Sequence, residues 1–564
     1  MFGTNDAVIS AILRKTALFS DSQIQQIISA ERDTDEDFVA LIVRLGLARE
    51  DDLLAKIAPA VGLTFTKIAE VEPAQEAIQK LPARAVYQYG VLPISLQGNL
   101  LTVATAEPFN TTLSDGLRLA SGCQIRLTLA PRTDIQKFAQ KFYGVGADAV
   151  EKMLEDGRYE VDTENATISK HDLSDMGQEV SIVRFVNQII AEADKQGATD
   201  IHFEPMEEEL RIRYRIDGLL HKVDVPLQLN RLKSAILSRL KVMANMDIAE
   251  RRMPLDGRIG IRLNGQDIDI RVSTMPTVYG ESVSLRLLQK SENFVRLSEL
   301  GMSESDQRVI DKVINRPNGI LLVTGPTGSG KSTSLYAFLH EINKIDVRIM
   351  TAEDPIEYEM AGINQVLVRQ DIGLTFARIL RSFLRQDPDI IMIGEIRDAE
   401  TAEIAINASL TGHLVFSTLH TNDAPGAFAR LVDMGVEPFL VASAVAAVMA
   451  QRLIRKLCPH CRRPEPLDMA LWEKAVPPPS RTVYAAVGCE RCARTGYRGR
   501  GGIFEMLQVV DEIESLIINR RSSGEIKQSA IKQGMQTLRD DGWGKIFQGV
   551  TTVEEVLRAT EENA

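Results

Sequence analysis

Gly325-Pro326-Thr327-Gly328-Ser329-Gly330-Lys331-Ser332-Thr333 carries the spacing G-x-x-x-x-G-K-[ST]. Glycines at 325, 328 and 330 let the backbone close tightly, so that successive N–H groups point inward. Those donors and the start of the following helix suit phosphate oxygens. Lys331 would reach the outer phosphates of a triphosphate, and the Ser332 hydroxyl would ligate Mg²⁺. This chemistry requires a strand that delivers the loop and a helix that leaves it. Residues 319–325 are a short apolar run suited to a buried parallel strand, and 334–343 read as a helix. A second apolar run, 389–394, ends at Glu395. A carboxylate at the carboxyl end of a parallel strand lies beside the crevice where such sheets bind ligands, so Glu395 suits a role through Mg²⁺ or its water.

Cys458, Cys461, Cys489 and Cys492 form two C-x-x-C pairs with 27 residues between them. Soft thiolates at this spacing suit tetrahedral Zn²⁺, with His460 an alternative ligand, and four cysteines leave no open position. The site reads as structural. Cys123 stands alone in a strand-like run and reads as a small buried apolar residue. Five cysteines in 564 residues form no disulfide framework and point to a reducing compartment. The net charge of −12 offers no general footprint for duplex DNA, so no nucleic-acid partner is expected. No apolar stretch is long enough to span a bilayer, and the first residues do not resemble a secretory signal. The expectation is a cytoplasmic protein with at most peripheral membrane association.

Along the chain, 1–65 reads as short amphipathic helices, with Asp21 an N-cap and Glu50-Asp51-Asp52 opening another helix. From 80 to 143 the pattern is α+β, with strands at 91–96 and 100–106 around the turn signal Gln97-Gly98-Asn99. The acidic, weakly periodic stretch 144–178 reads as a linker. A helix opens the next unit, 179–290, and strand-like runs follow it at 200–205, 210–217, 257–263, 267–275 and 282–288. From 291 the strand–loop–helix alternation predicts an α/β domain with a parallel sheet. Pro477-Pro478-Pro479 marks a local loop.

Two further runs carry a resemblance. They are Thr351-Ala-Glu353-Asp354-Pro-Ile-Glu357-Tyr and Thr411-Gly-His413-Leu-Val-Phe-Ser-Thr-Leu-His420-Thr-Asn. They resemble the Asp box and His box of the type II/IV secretion ATPase superfamily, of the GspE, PilB and MshE type. The resemblance covers about residues 60–560. It implies a multidomain α/β chain: an α+β N-terminal docking domain (1–143), a flexible linker (144–178), a mixed α+β middle domain (179–290), and a RecA-like ATPase domain (291–564). The last would carry a zinc-binding insertion at 455–495.

By the same resemblance the substrate is ATP with Mg²⁺, and Glu357 positions or deprotonates the attacking water. Glu353 and Asp354 are close enough in sequence to exchange roles with it. His413 and His420 match phosphate-sensing and subunit-contact histidines. Arg271 and Arg286 match arginine fingers from outside the core ATPase fold, with Arg258 a third candidate. Phosphoryl transfer calls for such parts: a positioned base and cations around the departing phosphate. Family members form homohexamers and work against an inner-membrane platform protein (GspF/PilC-like) and a docking protein (GspL/PilM-like). Some bind cyclic di-GMP through tandem R-L-G helical motifs. Here Arg44-Leu45-Gly46 occurs once and falls where the family has a turn glycine, which argues against that ligand. The implied activity is ATP hydrolysis that drives pilin or pseudopilin assembly. The rival is a nucleic-acid translocating ATPase of the same superfamily.

Overall fold

In the computed structural model the described residues are 6–16, 18–32, 38–110, 112–155, 173–263, 266–289, 295–472, 477–492 and 494–561. They fall into two compact units, Met1–Gln289 and Lys290–Ala564. Among the described residues no helix is long and apolar enough to cross a membrane.

The first unit opens with helices Asp6–Thr16, Asp21–Arg32, Phe38–Arg44 and Glu50–Ala60. Their apolar stripes bury Leu13, Ile24, Ile27, Ile42, Leu54 and Ile57 together. The second helix is capped one residue earlier than expected. Ser20 and Gln23 exchange backbone and side-chain hydrogen bonds in a capping box, and Asp21 is the first helical residue. A four-stranded sheet follows in the order Thr64–Phe65, Gln124–Leu129, Leu100–Thr105, Val91–Gln97. Its last two strands are antiparallel neighbours joined through Gly98, at φ 61°.

Part of the stretch expected to be a linker is structured. Ala147–Glu155 is a helix that buries Ala149, Val150 and Met153 in one core with Phe185 and Ile189 of the helix Leu173–Lys195. The acidic composition hid an apolar stripe at helical spacing. Residues 156–172 of that expected linker lie outside the described residues.

The second sheet of this unit has six antiparallel strands in the order Leu219–Lys222, Leu210–Ile216, Ala198–Pro205, Gly280–Gln289, Gln266–Thr277, Leu255–Leu263. Alternate residues Ile201, Phe203, Ile212, Tyr214, Ile270, Val272, Val283 and Leu285 are buried with Ile189 and Ile236 of two helices. Period-two alternation therefore puts the intervening charged residues on the opposite face.

The second unit contains a seven-stranded sheet in the order Asn364–Leu367, Ile349–Glu353, Ile390–Ile393, Leu414–Leu419, Gly319–Thr324, Val445–Leu457, Tyr497–Gln508. All neighbours are parallel except the final pair. Gly319–Thr324 and Leu414–Leu419 are buried along their whole length, as parallel strands covered on both faces must be. Ile320 and Leu322 enter one core while Leu321 and Val323 enter the other, one on each side of the sheet. Register brings Thr324 opposite Leu419, Ile393 opposite Ser417, and Ala352 opposite Ile393. The loops after these strands consequently share one edge of the sheet, the edge where α/β folds bind ligands.

Candidate active site

The loop 325–330 leaves the buried strand Gly319–Thr324 and ends at the helix Lys331–Ile342. Gly328 and Gly330 have φ of 79° and 90°, in the left-handed region that glycine tolerates best. Lys331 is buried, and its Nζ donates to the carbonyls of Gly325 and Pro326 at 2.8 and 3.0 Å. Burial pushes the ammonium pKa down to about 8; Glu395 opposes that shift, and Arg452 adds to it. Ser332, in the first turn of the helix, is exposed at the loop. A serine hydroxyl and nearby carboxylates are hard oxygen donors, the class that Mg²⁺ prefers.

Glu395 stands two residues past the strand Ile390–Ile393. His420 follows the neighbouring strand directly, and its Nε2 lies 3.1 Å from Glu395 Oε2. Arg397 Nη2 pairs with the other carboxylate oxygen at 2.6 Å. Burial raises the Glu395 carboxyl, but hydrogen bonds from Arg397 and His420 outweigh burial and hold it below the ordinary carboxylate range. Residues 331, 395 and 420 are thus gathered at one edge of the sheet.

The three acids of the Asp box differ in environment. Glu353 ends its strand and is buried. It accepts hydrogen bonds from Tyr336 Oη, Thr351 Oγ1 and Gln365 Nε2. Asp354 is exposed and adds to the field around Arg397. Glu357 is half-buried, and its backbone N–H donates to Tyr336 Oη at 3.2 Å. Tyr336 therefore ties the Glu357 loop to the helix that starts at Lys331.

His413 is not brought to this cluster. It precedes the strand Leu414–Leu419, whose far end carries His420. Its carbonyl accepts the Gly319 N–H at the opposite edge of the sheet, and its Nδ1 lies 2.9 Å from the Ala408 carbonyl. Six residues of strand at about 3.3 Å each separate the two histidines by roughly 20 Å.

Arg271 and Arg286 belong to the first unit. Arg286 is opposite Arg271, and Arg271 is opposite Arg258, so the three stand in one rung across neighbouring strands. Asp200, opposite Arg286 on the other side, pairs with its Nε at 2.9 Å and is itself almost buried. Directly opposed like charges repel, and the Asp200 carboxylate relieves that repulsion at Arg286.

The four cysteine Sγ atoms lie within 4.8 Å of one another and are placed to hold a metal ion. Sγ pairs 458–489 and 461–492 are each 3.8 Å apart, and 489–492 is 3.7 Å. Backbone N–H groups of Cys489 and Gly496 point to Cys492 Sγ, a donor set that favours thiolate.

Arg397 and Tyr336 were missed from sequence. For Arg397 the signal was present: it lies two residues beyond the strand-end acid. No local pattern marks Tyr336, whose partners come from another strand and loop.

Comparison with known proteins identifies the family. Residues 175–558 match the family described as type II/IV secretion system protein, and 61–149 match the MshEN domain. The type IV pilus assembly ATPase PilB of Myxococcus xanthus is 41% identical over 559 residues, covering 98% of both chains. The type II secretion system protein E of Xanthomonas campestris pv. campestris is 40% identical over 564 residues, again covering 98% of each. The X-ray structure of the Legionella pneumophila ATPase DotB shares the fold, with TM-score 0.50 and 22% identity over 67% of this chain and 96% of that one. With the family matched over more than half its length and a phosphate loop at the edge of the parallel sheet, this chain belongs to the type II/IV secretion system proteins and is a P-loop ATPase.

Proposed function

We propose that the chain is a cytoplasmic, hexameric motor that hydrolyses ATP to move an inner-membrane platform protein of the GspF/PilC type. The movement adds pilin or pseudopilin subunits to a filament. The observation that carries this reading is the cluster of Lys331, Glu395 and His420 on adjoining strand ends. Residues 325–333 hold the triphosphate through backbone N–H groups, and Lys331 neutralises its outer oxygens. Mg²⁺ supplies charge neutralisation of the phosphates when bound, with Ser332 its direct ligand.

Glu357 orients the attacking water and takes its proton, Glu395 acts through Mg²⁺ or its water, and His420 senses the γ-phosphate. Glu353 is the alternative base, from the end of its strand. His413, at the far edge, serves a subunit contact. Arg271 and Arg286 stabilise the departing phosphate as arginine fingers, within a chain or across subunits.

The ion of the cysteine cluster is Zn²⁺. A tetrahedron with Zn–S of about 2.3 Å has S···S edges of about 3.8 Å. Three of the six separations, at 3.7 and 3.8 Å, match that edge. The N-terminal region is a docking module for a GspL/PilM-type partner. The single Arg44-Leu45-Gly46 weighs against its being a cyclic di-GMP receptor.

The test is ATP turnover against oligomer size, with and without the cytoplasmic domain of a platform protein. Turnover per chain should rise on ring formation and rise again with the platform domain. A rate indifferent to both, or one stimulated instead by single-stranded DNA, overturns the reading. Parallel Glu357→Gln and Glu353→Gln variants identify the base. The variant that binds ATP but loses about 100-fold or more in turnover marks it.

A further inference from the structure

The strand Val445–Leu457 does more than extend the sheet. It pairs with the phosphate strand as far as Thr324, which lies opposite Ala450. It then runs on beside the loop 325–330, and the next two residues, Gln451 and Arg452, are both buried polar groups. Gln451 Oε1 accepts a 2.7 Å hydrogen bond from Ser334, in the first turn of the helix that follows the loop. A Cβ on Gly330 would meet Gln451 Nε2 at 2.8 Å, and one on Gly325 would meet the Gln451 carbonyl at 2.5 Å. At Gly325 the clash is with fixed backbone of this strand; at Gly330 it is with a side-chain end that must shift.

Arg452 reaches in two directions. Its Nη1 donates to the Gln451 carbonyl at 3.1 Å and would lie 3.2 Å from a Cβ on Gly325. Its Nη2 donates to the Asn422 carbonyl at 2.8 Å. Asn422 belongs to the loop that begins with His420, which faces Glu395. In the same loop Thr421 N–H donates to Thr324 Oγ1 at 2.8 Å. A planar guanidinium with fixed donors can span two backbones in one geometry, which an ammonium cannot. Burying that charge is costly unless it is well hydrogen-bonded, so the arrangement depends on the Asn422 carbonyl being in place.

We propose that Arg452 is a positioning residue, a latch that ties the His420 loop to the strand Val445–Leu457, which flanks the phosphate loop, keeping His420 and Glu395 in register with bound nucleotide. The proposal rests on the role given above to His420. Arg452 acts through that loop and is assigned no contact with nucleotide.

The experiment uses the full chain as its oligomer. Turnover and equilibrium binding of a fluorescent ATP analogue are measured for Arg452→Met, Arg452→Lys, His420→Ala and the Met/Ala double variant. Arg452→Met is expected to lower kcat about tenfold or more while nucleotide Kd stays within about threefold. Arg452→Lys, keeping the charge but not the fork, should recover only part of the rate. The double variant should fall within about twofold of the worse single variant, because both changes disable one device. An unchanged kcat in Arg452→Met, a loss confined to Kd, or losses that multiply in the double variant each overturn the latch. If Arg452→Met does not fold, Arg452→Lys decides alone: reduced kcat with retained Kd supports the latch, and full activity overturns it. A wild-type rate in His420→Ala removes the role of His420, and the latch falls with it. A defective His420→Ala beside an active Arg452→Met removes only the latch.

Discussion

Gly328 and Gly330 hold similar left-handed backbone angles but face different surroundings. A Cβ on Gly328 meets nothing within 4 Å, whereas one on Gly330 meets Gln451 Nε2 at 2.8 Å. A non-glycine residue in this region costs roughly 1–2 kcal/mol of strain. Gly328→Ala should therefore weaken nucleotide binding by about thirtyfold at most, the strain alone. Gly330→Ala must also shift the Gln451 amide, whose Oε1 accepts the Ser334 hydrogen bond. Calorimetric titration with a non-hydrolysable ATP analogue should show the larger loss at Gly330, and equal losses would contradict the packing argument. Burial also explains why Lys331 needs its two carbonyl partners: a cation this enclosed must be paired with acceptors.

Among elements, the C-terminal helix Val553–Thr560 is fastened to the metal-bearing segment by an ion-pair cluster. Glu555, almost fully buried, pairs with Arg455 at 2.8 Å and with Arg558 at 2.6 Å, and Arg455 stacks over Tyr497 at 4.0 Å. Burial raises the Glu555 carboxyl, but hydrogen bonds from Arg455 and Arg558 outweigh it and hold the group below its ordinary value. A carboxylate depressed in the folded state stabilises the fold above the unfolded-state value, and that contribution is lost as pH falls through the folded value. Glu555→Gln should cost about 1–3 kcal/mol near neutral pH, because it weakens the charged hydrogen bonds to the half-buried Arg455. Denaturant melts across pH should show the gap between variant and parent closing on acidification below the ordinary carboxylate range. A gap independent of pH would mean packing, not charge, holds this helix.

The metal cluster belongs to the same scale. Leu457 N–H donates to the Val550 carbonyl at 2.7 Å, so the first cysteine knuckle hangs from the turn before that helix. Chelation under reducing conditions should release metal in step with lowered thermal stability, as read by elemental analysis and calorimetry. Unchanged stability after full metal release would show that the fold around Cys458 and Cys489 stands without an ion.

At the scale of the whole molecule, the arginine rung and the phosphate loop lie in separate compact units. The proposed finger role requires these units to close for turnover, and closures of that kind couple chemistry to rigid-body movement. Arg286→Ala should bind nucleotide as the parent does and turn it over about 100-fold or more slowly. Asp200→Asn, which frees Arg286 from its 2.9 Å partner, should produce a milder loss. Normal turnover in Arg286→Ala would exclude it from the hydrolytic site. Specific activity should also climb with protein concentration as rings form, which light scattering alongside a phosphate-release assay can follow.

Local chemistry made much of this protein legible in advance. The phosphate loop, its strand and helix, and the paired C-x-x-C knuckles are written in consecutive residues, where backbone sterics and ligand spacing act over a few positions. Glu395 was legible because an apolar run that ends in an acid is a local pattern. Other features depended on register and packing between distant segments. His413 and His420 look alike in sequence, yet one extended strand puts them at opposite edges of the sheet. Arg258, Arg271 and Arg286 become neighbours only through antiparallel pairing. The helix Ala147–Glu155 shows its purpose only when Phe185 covers Met153 and its neighbours. Tyr336 touches both Glu353 and the Glu357 backbone, and Arg452 was placed by a strand that outruns its partner, contacts that close only when distant segments pack. Spacing along the chain determined which chemical groups exist and their local geometry; tertiary packing decided which of them meet, because period-two strands and long-range closure set direction and distance.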